Sequence, residues 1–99
     1  MKKAFCIVVF AFLLSATQAT AQQVRTYQNP KLGGVWLDWC LNWAVDCGKP
    51  AADAYCKSIG FVASRDHAQA PNVGRTRLIT GRVCNAPYCS GFRHITCWR

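Results

Sequence analysis

Cysteine placement constrains this chain more than any other feature. Seven cysteines occur in 99 residues, and Cys6 lies inside an N-terminal apolar run, apart from the others. The remaining six, Cys40, Cys47, Cys56, Cys84, Cys89 and Cys97, crowd into the last 60 residues. An even set of cysteines in a short exported chain reads as a three-disulfide framework around one small domain. Zinc is the rival explanation of clustered cysteines. It fits poorly, because there is no Cys-x2-Cys pair and His67 and His94 are not spaced as in a finger. No metal site and no cofactor are expected.

The cysteine argument depends on export, and the N-terminus carries the pattern. Lys2-Lys3 is followed by an apolar stretch from Ala4 to Leu14 and then by the small-residue motif Ala19-Thr20-Ala21. That is the plan of a secretory signal, with cleavage expected after Ala21. The run is shorter than the roughly 20 apolar residues a membrane-spanning helix needs, so no stable span is expected. Cleavage would remove Cys6 and leave no odd thiol. The chain is thus expected to divide into a signal peptide (1–21), a flexible polar arm (22–34) and a disulfide-stapled domain (35–99), secreted or periplasmic.

Residues 22–99 number 78. A domain of that size buries only about 60% of its extended surface on folding. Disulfides, typically worth about 2–5 kcal/mol each in small secreted domains, are expected to cover the shortfall. Beyond residue 21, ten Lys and Arg face four Asp and no Glu, a net of +6. Such a surface favours anionic partners, although scattered bases also serve only to keep a small exported protein in solution.

Local patterns outline an α+β fold. Val35 to Cys47 alternates apolar and polar residues as a strand does, while Asp38, Asn42 and Asp46 are also spaced for one wet face of a helix. Enrichment in Trp and Val favours a strand running into a cystine-held loop. Pro50 to Ile59 is predicted to be a helix. Proline suits its first turn, Ala52, Tyr55, Cys56 and Ile59 form an inward stripe, Asp53 and Lys57 pair outside, and Gly60 supplies the stop, with Phe61 folding back. A polar loop is predicted over 66–74, and strands over 76–84 and 91–98. The whole reads as a small disulfide-rich α+β domain, one helix packed on a small antiparallel sheet. Six cysteines allow fifteen pairings. Proximity favours Cys40–Cys47, Cys56–Cys97 and Cys84–Cys89, the last closing the turn Asn85 to Tyr88.

The run Trp39-Cys40-x2-Trp43-x3-Cys47-Gly48-x-Pro50-Ala51-Ala52-Asp53-x-Tyr55-Cys56, then Cys84-x4-Cys89-x-Gly91-Phe92-x2-Ile95-x-Cys97, is similar to small secreted six-cysteine proteins of uncharacterised families. The resemblance implies export and the disulfide frame and transfers no catalytic residue. The fragment Ala52 to Phe61 resembles the helix of apple-type and scavenger-receptor-type adhesion domains, which implies binding.

Catalytic readings are thin. His67 and His94, with Lys57, Arg77 or Arg93 as the cation, could form the acid/base pair of a basic secreted ribonuclease. Strand alternation would place His94 on the side of Phe92. Glycoside hydrolysis needs two placed carboxylates, and Asp38, Asp46, Asp53 and Asp66 are the only candidates. A non-catalytic binding module is the leading expectation. Exposed indoles stack on sugars or bases, and arginine beside them adds anion contacts. Trp36 breaks the alternation and is expected to be exposed, with Arg77 and Arg93 on neighbouring strands as a basic face. Trp39 and Trp43 are expected to pack over the cystines as core, the better-supported reading in a domain with few other large apolar groups to bury. Expected partners are an anionic glycan, a cell-surface polymer or a partner protein. Nucleic acid is not favoured, and the oligomeric state is open. A secreted inhibitor or toxin acting through the Asn85–Tyr88 loop is the alternative.

Overall fold

A computed structural model describes residues 22–99. The expected signal peptide, with Cys6, lies outside the described residues.

The chain folds as β1 (Val24–Gln28), β2 (Lys31–Leu32), β3 (Val35–Leu37), β4 (Cys40–Asn42), β5 (Val45–Cys47), α1 (Lys49–Ser58), β6 (Ala63–Ala70), β7 (Arg75–Arg77), β8 (Val83–Asn85) and β9 (Gly91–Trp98). Three sheets result: an antiparallel β1-β9-β6, a mixed β2-β3-β7-β8 and the hairpin β4-β5. The long strand β9 is central to the first sheet, and α1 packs against it and β6. This is the α+β arrangement expected, one helix on antiparallel-rich sheet.

The helix follows its sequence signals. Pro50 sits in the first turn, and Ala51, Ala52, Tyr55 and Cys56 are buried. Gly60 takes φ +95°, its amide donates to Lys57 O (3.2 Å), and the Phe61 amide donates to Cys56 O (2.9 Å). That closure buries Phe61 on the last turn. Ile59 departs from the inward stripe and is exposed. Asp53 also departs. It pairs with Lys49 (3.2 Å) and not with Lys57, and its Oδ1 accepts from the Ser64 amide (2.8 Å) and hydroxyl (2.6 Å), tying α1 to β6.

All three disulfides match the pairing that proximity favoured: Cys40–Cys47, Cys56–Cys97 and Cys84–Cys89. Cys56 and Cys97 are fully buried and bolt α1 to β9 among Leu37, Ala52, Tyr55, Phe92 and Ile95. A second, smaller core forms where Leu78 packs against Cys84 and Cys89.

Four strand expectations need correction. Residues 22–34 are no loose arm, since β1 pairs with β9 along its whole length, Val24 opposite Trp98 through Gln28 opposite His94. The 35–47 stretch is three short strands, not one. Asp38 Oδ1 accepts the Cys40 amide (2.8 Å), a local bond that turns the chain, and Ala44 at φ +61° closes a hairpin. The 66–74 loop is largely strand, because β6 is a sheet edge and an edge needs few apolar residues. The 76–84 strand is broken by a turn in which Leu78 N donates to Arg82 O (2.8 Å) and Gly81 sits at φ +102°. The resulting β7 and β8 pair with β3 and with each other, not with β9.

Candidate functional site

Two cystine-held loops approach each other across a cleft of about 250 Å³. The first is the β4-β5 hairpin, in which Cys40 faces Cys47 and Asn42 faces Val45. Its turn holds Trp43 at the tip, and Asn42 Nδ2 donates to Asp46 Oδ2 (3.1 Å) behind it. The second is the Cys84–Cys89 loop, closed by the Cys89 amide donating to Ala86 O (3.1 Å). Cys89 O accepts the Val73 amide (2.9 Å), and Ser90 Oγ accepts the Asn72 amide (3.2 Å), so the loop is anchored at its base.

Trp39 lines the inner part of the cleft. Its ring lies 4.9 Å from Phe92 and 5.5 Å from His67, centroid to centroid. Gly48 permits this placement, since a Cβ there would stand 3.2 Å from the Trp39 ring, and Gly48 also holds φ +79°. Leu78 and the Cys84–Cys89 cystine complete the apolar lining, and Gln69 and Ser90 add hydrogen-bonding groups. Asp38 also lines the cleft, but its oxygens are already engaged by the Cys40 amide and the Thr76 hydroxyl. Its carboxylate holds the wall together.

Trp43 is 52% exposed and Tyr88 74% exposed, although both border the cleft. On the outer side of Trp43, the Arg82 guanidinium lies 6.0 Å from the indole centroid, beside the exposed Val83. Aromatic faces, a few hydrogen-bonding groups and one rim cation suit the gripping of a ring-shaped or amphipathic ligand. Among the described residues no cluster of three or more His, Cys, Asp or Glu could hold a metal ion.

The residues singled out from sequence fall elsewhere. Trp36 is half-buried: Lys31 Nζ covers its ring at 4.5 Å, and a Cβ at Gly91 would stand 3.2 Å from its Cε3. The exposed indole is Trp43. Arg77 is half-buried on β7, with its Nε buried and unpaired among the described residues, while Arg93 is exposed on β9 in another sheet. The neighbouring-strand basic face they were expected to form is absent, because β7 pairs with β3 and β8.

The two histidines do not converge either. His67 lies opposite Ile95 on the core side, whereas His94 turns outward and meets Asp66 Oδ2 at 2.9 Å. That hydrogen bond, with the attraction of the ring, holds the Asp66 carboxyl below its ordinary value against the opposing effect of desolvation. Phe92 and Ile95 share the core, contrary to the expected alternation, because the ladder shifts register between Ala68 and Gln69. Sequence reasoning placed Leu78 and Arg82 on one continuous strand, and the turn at Gly81 instead folds that run back, bringing Leu78 into the cleft and Arg82 beside Trp43.

Compared with family models, curated proteins and solved structures, the chain gives no match. No helix among the described residues is long and apolar enough to cross a membrane.

Proposed function

We propose that this is a small exported, non-catalytic binding module that contacts a glycan or other anionic surface through the cleft between its two cystine loops. One observation carries the proposal: Trp43 and Tyr88, the most exposed large aromatics among the described residues, border one cleft from two separately cross-linked loops. Large apolar groups in so small a domain are otherwise needed for its core. Rigid loops lower the ordering cost of binding, and an indole face stacks on a sugar ring. Arg82 and the net charge of +6 over residues 22–99 bias the ligand toward anionic polymers. Trp36, Arg77 and Arg93 would then act only at the periphery of such a contact.

Binding of the oxidised protein to a glycan array and to heparin tests the proposal. Trp43→Ala should weaken the best ligand by about 30-fold, equivalent to ~2 kcal/mol. Absence of any saturable binding, or binding indifferent to Trp43 and Tyr88, would sink it.

A second reading has its own support. The Cys84–Cys89 loop presents Tyr88 at 74% exposure, and an aromatic on a rigid loop is a common anchor in a partner protein's pocket. A partner captured from the secretion environment, and lost with Tyr88→Ala but kept with Trp43→Ala, would favour an inhibitor or toxin.

A further inference from the structure

The three-stranded sheet has two edges, and they are built differently. The β6 edge is interrupted by register shifts between Ser64 and Asp66 and between Ala68 and Gln69, and it carries Arg65 and Asp66 side by side. Bulges and charges of this kind discourage another strand from adding. The β1 edge has no bulge and fewer charges. Its five residues pair with β9 without a register shift, and Arg25 is its only charge.

The hydrogen-bond parity of β1 can be followed residue by residue. Gln23 and Arg99 exchange both backbone hydrogen bonds (2.7 and 2.9 Å), and the Asn29 amide donates to Arg93 O (2.8 Å). In an antiparallel ladder these paired bonds fall on alternate residues, so Arg25 and Tyr27 also bond to β9. Val24, Thr26 and Gln28 therefore turn their N–H and C=O groups to the side on which no strand lies among the described residues.

We propose that a second copy of this chain adds to this edge. The two β1 strands would run antiparallel about a two-fold axis at Thr26 and make one continuous six-stranded sheet. In that register Val24 faces Gln28 of the other copy and Thr26 faces Thr26, so every free backbone group of the strand finds a partner.

Side chains select the same register. Thr26 Oγ1 already lies 2.8 Å from Thr96 Oγ1. The two-fold extends this contact into a row of four threonines across the joined sheet, a favourable cross-strand pattern. On the opposite face, the Arg25 guanidinium comes beside the Tyr27 ring of the other copy, a cation–π arrangement. Val24, 46% exposed in the single chain, gains cover from Gln28. Centring the axis on Arg25 instead sets two guanidinium groups face to face. Centring it on Tyr27 leaves Val24 unpaired. An isologous contact of this kind closes on itself and stops at two copies, because the bulged β6 edges do not continue it.

Sedimentation equilibrium of the oxidised protein from micromolar to millimolar concentration tests the inference. The mean mass should climb toward twice that of the single chain. Thr26→Pro should hold it at the single-chain value, with all three disulfides intact, because the lost N–H faces the open edge and not β9. Hydrogen-bonded antiparallel residues stand about 5.5 Å apart at Cα, within disulfide reach. Thr26→Cys should therefore oxidise to a covalent pair, whereas Gln28→Cys should not. If Thr26→Pro fails to fold, this cysteine comparison decides alone. A single-chain mass at millimolar concentration, a Thr26→Pro protein that pairs as well as the parent, or equal cross-linking through Gln28→Cys would each overturn the inference.

Discussion

Asp53 and Ser64 are joined twice. One carboxylate oxygen on α1 accepts both the amide (2.8 Å) and the hydroxyl (2.6 Å) of the first buried residue of β6. Burial works against the charge of this carboxyl, but the two Ser64 bonds and Lys49 outweigh it and hold its titration below the ordinary carboxylate range. Hydrogen bonds to a charged group contribute about 1.5–3 kcal/mol. Asp53→Ala should therefore lower unfolding stability by about 2 kcal/mol at neutral pH, measured by urea denaturation. A loss indistinguishable from zero would show that the tie is decorative.

The same pair sets an acid dependence. A carboxyl depressed in the folded state contributes stability that is fully present above its unfolded value, about 3.9 for Asp. That contribution is lost as pH falls through the lower folded value. Asp53→Asn should accordingly show a shallower acid limb than the parent in thermal melts between neutral pH and strong acid, with the curves converging at the acid end. Parallel curves would contradict the assignment.

Gly91 is sterically required. A Cβ there would stand 2.8 Å from Leu37 O and 3.2 Å from Trp36 Cε3, and the first of these is backbone that cannot swing away. Overpacking of this kind costs about 1–3 kcal/mol. Gly91→Ala should lower the melting temperature, and a melt equal to the parent's would mean that β3 and β9 separate freely.

The three disulfides should not be equivalent. Cys56–Cys97 spans 41 residues and is fully buried, whereas Cys40–Cys47 and Cys84–Cys89 span seven and five. Loop-closure entropy assigns about 4 kcal/mol to the long loop and about 2–2.5 kcal/mol to each short one. Replacing both Cys56 and Cys97 by Ala should abolish the cooperative transition. Replacing Cys40 and Cys47 should leave the fold standing but loosen the Trp43 hairpin, and mild reductant should open the short bridges first. Thiol trapping with mass spectrometry reads that order directly.

Much of the frame was legible because it rests on local rules. The helix, its proline start and its Gly60–Phe61 closure are written within a dozen residues, and each cystine of short span lies close in sequence. Less legible were elements whose partners are remote. Nothing in Val24–Gln28 announces that it will pair with a strand some 70 residues away in sequence. The cleft depended on such remote placement. Alternation points to Trp36 as the exposed indole and Trp43 as core, but Lys31 and Gly91 cover Trp36 while the hairpin turn exposes Trp43. Alternation puts His94 and Phe92 on one face, but the unpaired Arg93 between them in β9 shifts the register, which alternation cannot show.

The cleft itself is tested most directly by NMR titration of the oxidised, isotope-labelled protein with soluble acidic and neutral oligosaccharides. Saturable shifts should centre on the Trp43 indole, Tyr88, Gln69 and Ser90, with Arg82 responding more strongly to the acidic sugar. Saturable shifts confined to other surfaces, or none with either sugar, would contradict the assignment of this cleft as the binding site.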